Sequence, residues 1–296
     1  MENIQIMVNK IKQAIILLYG LGAVGKSFSL ATLFKLRDIR PNQRVVVLTT
    51  EKNAISGLER GLKHYKIDLK PNQLFISVVR PKNKKAFSTE LNALKKFAND
   101  TVSQTQQTSK DSNANKDKYT YFIDVIQGLH NFKGVDYVTG EEVTLGNISD
   151  LKEEDILVID GLSPIIHGIW CLLQGDRKVN QIGDYQCVQK QINDLTYELV
   201  NSIECSLIML AHADRLMDDI EKTEKIRVAL DAGVALSGKY IGKFADVIYA
   251  NVTNGGKHVW TGKKLNVETA ARNFPSADGL EPDFSLYNFF KDDGLN

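Results

Sequence analysis

The sequence predicts an α/β fold in which a mostly parallel central sheet is flanked by helices and carries antiparallel strands at its C-terminal edge. Three observations carry that expectation. Apolar, β-branched runs such as "RVVVLTT" (44–50) and "DILVID" (155–160) alternate with stretches whose apolar residues recur every three or four positions. A glycine-rich stretch, "GLGAVGKS" (20–27), joins the first such run to a helical one. Two later runs end on single polar residues, Asp160 and His212, at the strand ends where parallel sheets bind ligands.

Taken in order, Ala14 to Tyr19 reads as the first strand, followed by a helix that starts at Ser27 and stops before Pro41. Arg44 to Thr50 is the second strand, and Ile55, Leu58, Leu62 and Tyr65 mark the next helix. "QLFISVV" (73–79) reads as a strand and "STELNALKKFA" (88–98) as a short helix with Leu91, Leu94 and Phe97 on one face. Residues 99–118 hold almost no large apolar side chains, so burial cannot offset their ordering entropy, and a mobile insertion is expected there. Residues 119–150 form an appended hairpin region, with a Thr-Gly turn between two short strand-like runs. "CSLIMLAH" (205–212) is another central strand, reached by a long helix on Tyr185, Val188, Ile192, Leu195 and Leu199. "FADVIYANV", "KHVWTG" and "LNVETA" close the chain as antiparallel edge strands. The whole, 1–296, is expected to be one domain.

With 37 Lys and Arg against 36 Asp and Glu, the chain has no global basic footprint, so any nucleic-acid contact must be local. No apolar run approaches membrane-spanning length and no secretory leader is apparent, so a cytoplasmic protein without a membrane partner is expected. Cys171, Cys187 and Cys205 are odd in number and lack a C-x-x-C pair, which suits reduced thiols better than disulfides or zinc.

Gly20, Gly25, Lys26 and Ser27 fill the pattern G-x-x-x-x-G-K-[ST] in its strand–loop–helix context. Such a loop, here Gly20, Leu21, Gly22, Ala23, Val24, Gly25, Lys26, Ser27 and Phe28, turns successive backbone N–H groups toward an anion. Lys26 reaches the β- and γ-phosphates of a nucleoside triphosphate, and the Ser27 hydroxyl is placed to ligate Mg²⁺. Asp160 supplies the carboxylate that orients the metal's water shell. Glu51, projecting from the same sheet edge, is the candidate to activate water, and His212 the candidate γ-phosphate sensor.

Together, "GLGAVGKS", Glu51 in "VVVLTTEKNA", Asp160 in "ILVIDGLSPI" and His212 in "LIMLAHADR" resemble the RecA-type P-loop ATPase core. More narrowly they are similar to phage-encoded RecA-like nucleotide-binding proteins of single-strand annealing and recombination. The resemblance spans residues 11–55 and 153–290. It implies an ATP- and Mg²⁺-dependent hydrolase with a catalytic Glu51 and a metal-associated Asp160, located in a host cytoplasm, and a sensor at His212 where RecA itself carries an amide. It further implies single-stranded DNA bound through loops 174–185 and 214–239, whose basic residues are Arg177, Lys178, Lys222, Lys225 and Arg227. Homo-oligomers are implied too, in which Lys239 and Lys243 reach a neighbour's γ-phosphate. Because the second loop also holds Asp218, Asp219, Glu221 and Glu224, a solvated mixed-charge loop is the competing reading. Rival functions are a terminase- or helicase-like motor, whose extra segments are not found, and a nucleotide-binding assembly scaffold with little turnover. A small-molecule kinase fits less well, since no arginine-rich lid is evident.

Overall fold

A computed structural model describes residues 12–38, 40–51, 53–79, 121–174, 182–217, 222–230 and 240–290. The expected helix at 88–98 and the insertion at 99–118 lie outside the described residues.

The sheet runs β10-β9-β1-β7-β6-β2-β3-β4-β5, built from β1 (Ile15–Gly20), β2 (Val45–Thr49), β3 (Leu74–Val78), β4 (Phe132–Asp136), β5 (Glu142–Gly146), β6 (Ile156–Asp160), β7 (Ser206–Met217), β9 (Asp246–Val252) and β10 (His258–Thr261). β9, β1, β7, β6, β2 and β3 are mutually parallel. Their continuous apolar runs follow from burial on both faces. Leu17, Tyr19, Leu157, Ile159, Leu207 and Met209 face one core, and Ile16, Leu18, Ile156, Val158, Ile208 and Leu210 face the other.

The helices divide between these faces. α1 (Lys26–Ser29), which tightens into a 3₁₀ segment over Leu30–Asp38, packs with α2 (Ala54–His64) on one side, contributing Leu30, Leu33, Leu58 and Leu62. α3 (Tyr121–His130), α4 (Leu162–Gln174) and α5 (Ile182–Asn201) cover the other through Val125, Ile165, Ile169, Val188 and Ile192. Neighbouring β1 and β7 therefore send their connections to opposite faces, since Leu30 and Leu33 after β1 join the core of Ile16 and Leu18, while Tyr240 and Phe244 after β7 join that of Leu17 and Tyr19. That divergence falls at the C-terminal ends of the strands, the usual ligand position in open α/β sheets.

Several expectations need correction. β9 is parallel to β1, because the chain crosses β1 after β7 and re-enters from the same side; only β10 and the short β11 (Ala270–Ala271) are antiparallel to it. "LNVETA" is not a strand: Val267 makes a single bridge to Ile226, and pairing resumes at Ala270. The helix begins one residue before Ser27 and soon tightens. The hairpin β4–β5 extends the main sheet through an antiparallel β3–β4 pair, so both sheet edges are antiparallel, and helix α3 occupies the start of the region assigned to it. The segment 214–239 is not a loop at its start. β7 continues to Met217 and pairs with β8 (Glu224–Val228), held by cross-strand ion pairs Arg215–Glu224 at 3.4 Å and Arg227–Asp214 at 3.5 Å. Among the described residues, no helix is long and apolar enough to cross a membrane.

Candidate functional site

The parallel register sets the site. Gly20 lies opposite His212, Asp160 opposite Leu210, and Thr49 opposite Asp160, so the ends of β1, β6 and β2 come level with His212, inside the longer β7, at one edge. Each delivers one of the residues singled out in the sequence.

From β1, the loop turns through Ala23 (φ 61) and Gly25 (φ 87), both left-handed, before α1 begins at Lys26. Left-handed residues within a tight turn swing consecutive N–H groups to one side, which is an anion-binding concavity. Only glycine adopts φ 87 cheaply, and it does so at the helix N-cap, where the first N–H groups lack helical partners. Lys26 folds back over this loop. Its Nζ donates to the carbonyls of Gly20 (2.9 Å) and Leu21 (3.0 Å). Burial holds its pKa below the usual lysine value, against the pull of Glu51 and Asp160.

Ser27 at the start of α1 and Asp160 at the end of β6 meet directly: the serine hydroxyl donates to Asp160 Oδ2 at 2.9 Å. Beside them Thr50 locks β2 to β6. Its N–H donates to the Asp160 carbonyl at 2.9 Å, and its hydroxyl lies 3.2 and 3.1 Å from the carbonyls of Asp160 and Gly161. Gly161 has φ 112, and a Cβ there would fall 1.9 Å from Thr50 Oγ1, so this latch depends on glycine. The Thr49 hydroxyl shapes the next turn, accepting from the Glu51 N–H at 3.1 Å. Glu51 is thereby presented to His212, whose Nε2 lies 2.9 Å from Glu51 Oε1; with its proton on Nε2 the ring donates to the carboxylate. That hydrogen bond, opposed by partial burial and aided by the charge of Lys26, holds the Glu51 carboxyl below the usual glutamate range.

Asp160 behaves in the opposite sense. Burial pushes its carboxyl up to about 6; the Ser27 hydroxyl opposes the rise and the nearby Glu51 charge adds to it. The folded chain thus binds a proton that the unfolded chain, with its aspartate near 3.9, releases. The stability this residue contributes is complete below about pH 3.9 and is lost as pH climbs through about 6. Ionised at neutral pH, the buried Asp160 carboxylate destabilises the fold. Asp160→Asn is therefore expected to raise the ligand-free melting temperature at pH 7.5 while weakening Mg²⁺-dependent nucleotide binding. Thermal melts at pH 5 and 7.5 check it, the gain being larger at 7.5.

The donor set suits a triphosphate with Mg²⁺. A turn with left-handed Ala23 and Gly25 and one ammonium are what phosphates would need, and the Ser27 hydroxyl and Asp160 carboxylate stand together as a metal would require. No group of three or more His, Cys, Asp or Glu forms a metal cage among the described residues. Mg²⁺ ordinarily takes one or two protein oxygens and completes its shell with water and substrate phosphates.

The remaining predicted residues stand elsewhere. Lys243 precedes β9, at the opposite edge of the sheet from Gly20, and donates to the Asn193 carbonyl at 2.8 Å. Arg177, Lys178 and Lys239 lie outside the described residues. In the β7–β8 hairpin, Arg227 is mostly buried and paired with Asp214, and Arg215 is paired with Glu224, so the described part of this segment is a paired hairpin and not a solvated loop. Sequence reasoning missed Thr50 and Gly161, which carry the latch, and His258, which reaches the loop from β10. "DG" after an apolar run was the available signal for Gly161. No protein-family model matches the chain, and no curated protein matches it.

Proposed function

We propose that this chain is an ATP-binding, Mg²⁺-dependent ATPase with a RecA-like core, working with DNA in recombination, single-strand annealing or replication. The observation that carries the hydrolase reading is the meeting of two pairs at one sheet edge: Ser27 with Asp160, and Glu51 with His212, both at 2.9 Å, beside Lys26. The sheet order supports it as well, since β7, which carries His212, lies between the strand of the phosphate loop and the strand ending in Asp160.

In this reading the loop N–H groups and Lys26 hold the phosphates, Lys26 exchanging two carbonyls for phosphate oxygens. Mg²⁺, when bound, neutralises charge on the phosphate oxygens. Ser27 and Asp160 are the residues that would hold it. Glu51 is ionised at neutral pH, so it orients the attacking water by accepting its hydrogen bond rather than waiting on its own deprotonation. His212, hydrogen-bonded to Glu51, ties that carboxylate to β7, the strand that pairs with β8. A trans role for Lys243 would require its ammonium to leave the Asn193 carbonyl when copies assemble.

The DNA partner is the finer half of the proposal and rests on the resemblance. Phosphate release measured with and without Mg²⁺ and single-stranded DNA tests both halves. Release is expected to require Mg²⁺ and to rise with DNA. Release indifferent to DNA removes the DNA half, and tight binding without release replaces the hydrolase with an assembly scaffold.

A further inference from the structure

His258 opens β10, on the far side of β9 from the phosphate loop's own strand, yet its ring lies against that loop. Nδ1 is 3.0 Å from the Val24 carbonyl oxygen, and a Cβ built on Gly25 would stand 3.2 Å from the same nitrogen. A carbonyl only accepts, so Nδ1 carries the proton in this contact. The peptide between Val24 and Gly25 is trans, and in a planar trans peptide the C=O and N–H point in opposite directions. Holding the Val24 oxygen toward His258 therefore turns the Gly25 N–H away from His258, to the opposite side of the loop.

We infer that His258 is a positioning residue for the phosphate loop: through the Val24 carbonyl it fixes the peptide that presents the Gly25 N–H to a bound phosphate. The inference rests on the nucleotide-binding reading above. The ring is delivered by a well-braced hairpin. His258 pairs with Val252, and Thr253 closes the turn through its N–H to the Lys257 carbonyl (2.9 Å) and its hydroxyl to the Lys257 N–H (3.2 Å). Two residues on, Trp260 is buried against Phe274 and Phe284, anchoring the strand. His258 itself is exposed, so truncating it removes little buried surface. A loop whose N–H groups already point at the anion loses less entropy on binding, and this is where the residue acts.

The test compares wild type, His258→Ala and His258→Asn by calorimetric titration with Mg²⁺ and the non-hydrolysable analogue AMP-PNP, alongside steady-state hydrolysis and ligand-free melts. His258→Ala is expected to weaken AMP-PNP binding about tenfold, the size of one hydrogen bond's contribution, and to raise KM in step while leaving kcat near wild type. Its ligand-free melting temperature should not move. His258→Asn, whose amide N–H stands close to the lost Nδ1–H, should restore most of the affinity. Undiminished binding by His258→Ala, a loss confined to kcat, or an asparagine variant no better than alanine overturns the positioning role while the nucleotide reading stands. Failure of the wild-type chain to bind AMP-PNP overturns both.

Discussion

Replacing Lys26 with alanine is expected to weaken Mg²⁺–ATP binding roughly 100-fold and to abolish measurable turnover, because two charge-assisted hydrogen bonds to phosphate disappear together. The fold should be unaffected. Among the described residues the ammonium donates to the Gly20 and Leu21 carbonyls, and its depressed pKa marks a charge that burial penalises. Lys26→Arg should not rescue binding, since a planar fork cannot take the place of a compact ammonium inside so tight a loop. Calorimetric titration with a melting control measures the effect, and wild-type affinity in Lys26→Ala would remove the phosphate-loop assignment.

Glu51→Gln should separate binding from chemistry. The amide keeps the shape of the side chain and still offers an oxygen to His212 Nε2, so the site geometry survives and ATP binds as before. Turnover is expected to fall by about 10² to 10⁴, the range for removing a positioned acid–base group. Since the Glu51 carboxyl is held below the usual glutamate range, its own protonation should cost activity only well into the acid range, below the fall through about 6 that protonation of Asp160 imposes. Single-turnover hydrolysis across pH checks both statements, and a wild-type rate in Glu51→Gln would move the water-activating role to another group.

Much of this arrangement is legible in the order of residues. A motif with fixed offsets, such as Gly20 to Ser27, reports local backbone conformation, and the structure has Gly25 at φ 87 where the pattern demands a glycine. Runs such as "ILVID" report burial on both faces and place Asp160 at a strand end. Strand direction is less legible: "FADVIYANV" looks the same parallel or antiparallel, and only the crossover past β1 decides it. The β7–β8 hairpin was hidden by its charges, because Asp214, Arg215, Glu224 and Arg227 look like a solvated loop until cross-strand pairing matches them. Contacts that depend on long-range approach were invisible. Thr50 and Gly161 are 111 residues apart in the chain, and His258 and Val24 are 234 apart, so nothing local to either partner announces the other.

The C-terminal aromatic residues show the same limit. Trp260, Phe274, Phe284 and Phe289 form one cluster over the 3₁₀ segment that continues α1, and the Phe284 N–H donates to Thr32 at 2.9 Å. Lys35 pairs with Asp283 in the same place. This packing clamps the helix that carries Lys26 and Ser27, a structural service to the site drawn from residues with no motif of their own.

The proposal stands on a triphosphate and its metal binding at the edge shared by β1, β2, β6 and β7. An experimental structure of the chain with Mg²⁺ and AMP-PNP tests it most directly. The expected result is phosphate density over residues 20–27, Lys26 Nζ moved from the Gly20 and Leu21 carbonyls onto phosphate oxygens, and the metal beside Ser27 and Asp160. Nucleotide bound at any other surface, or a saturated sample with Lys26 still on its two carbonyls, would contradict it.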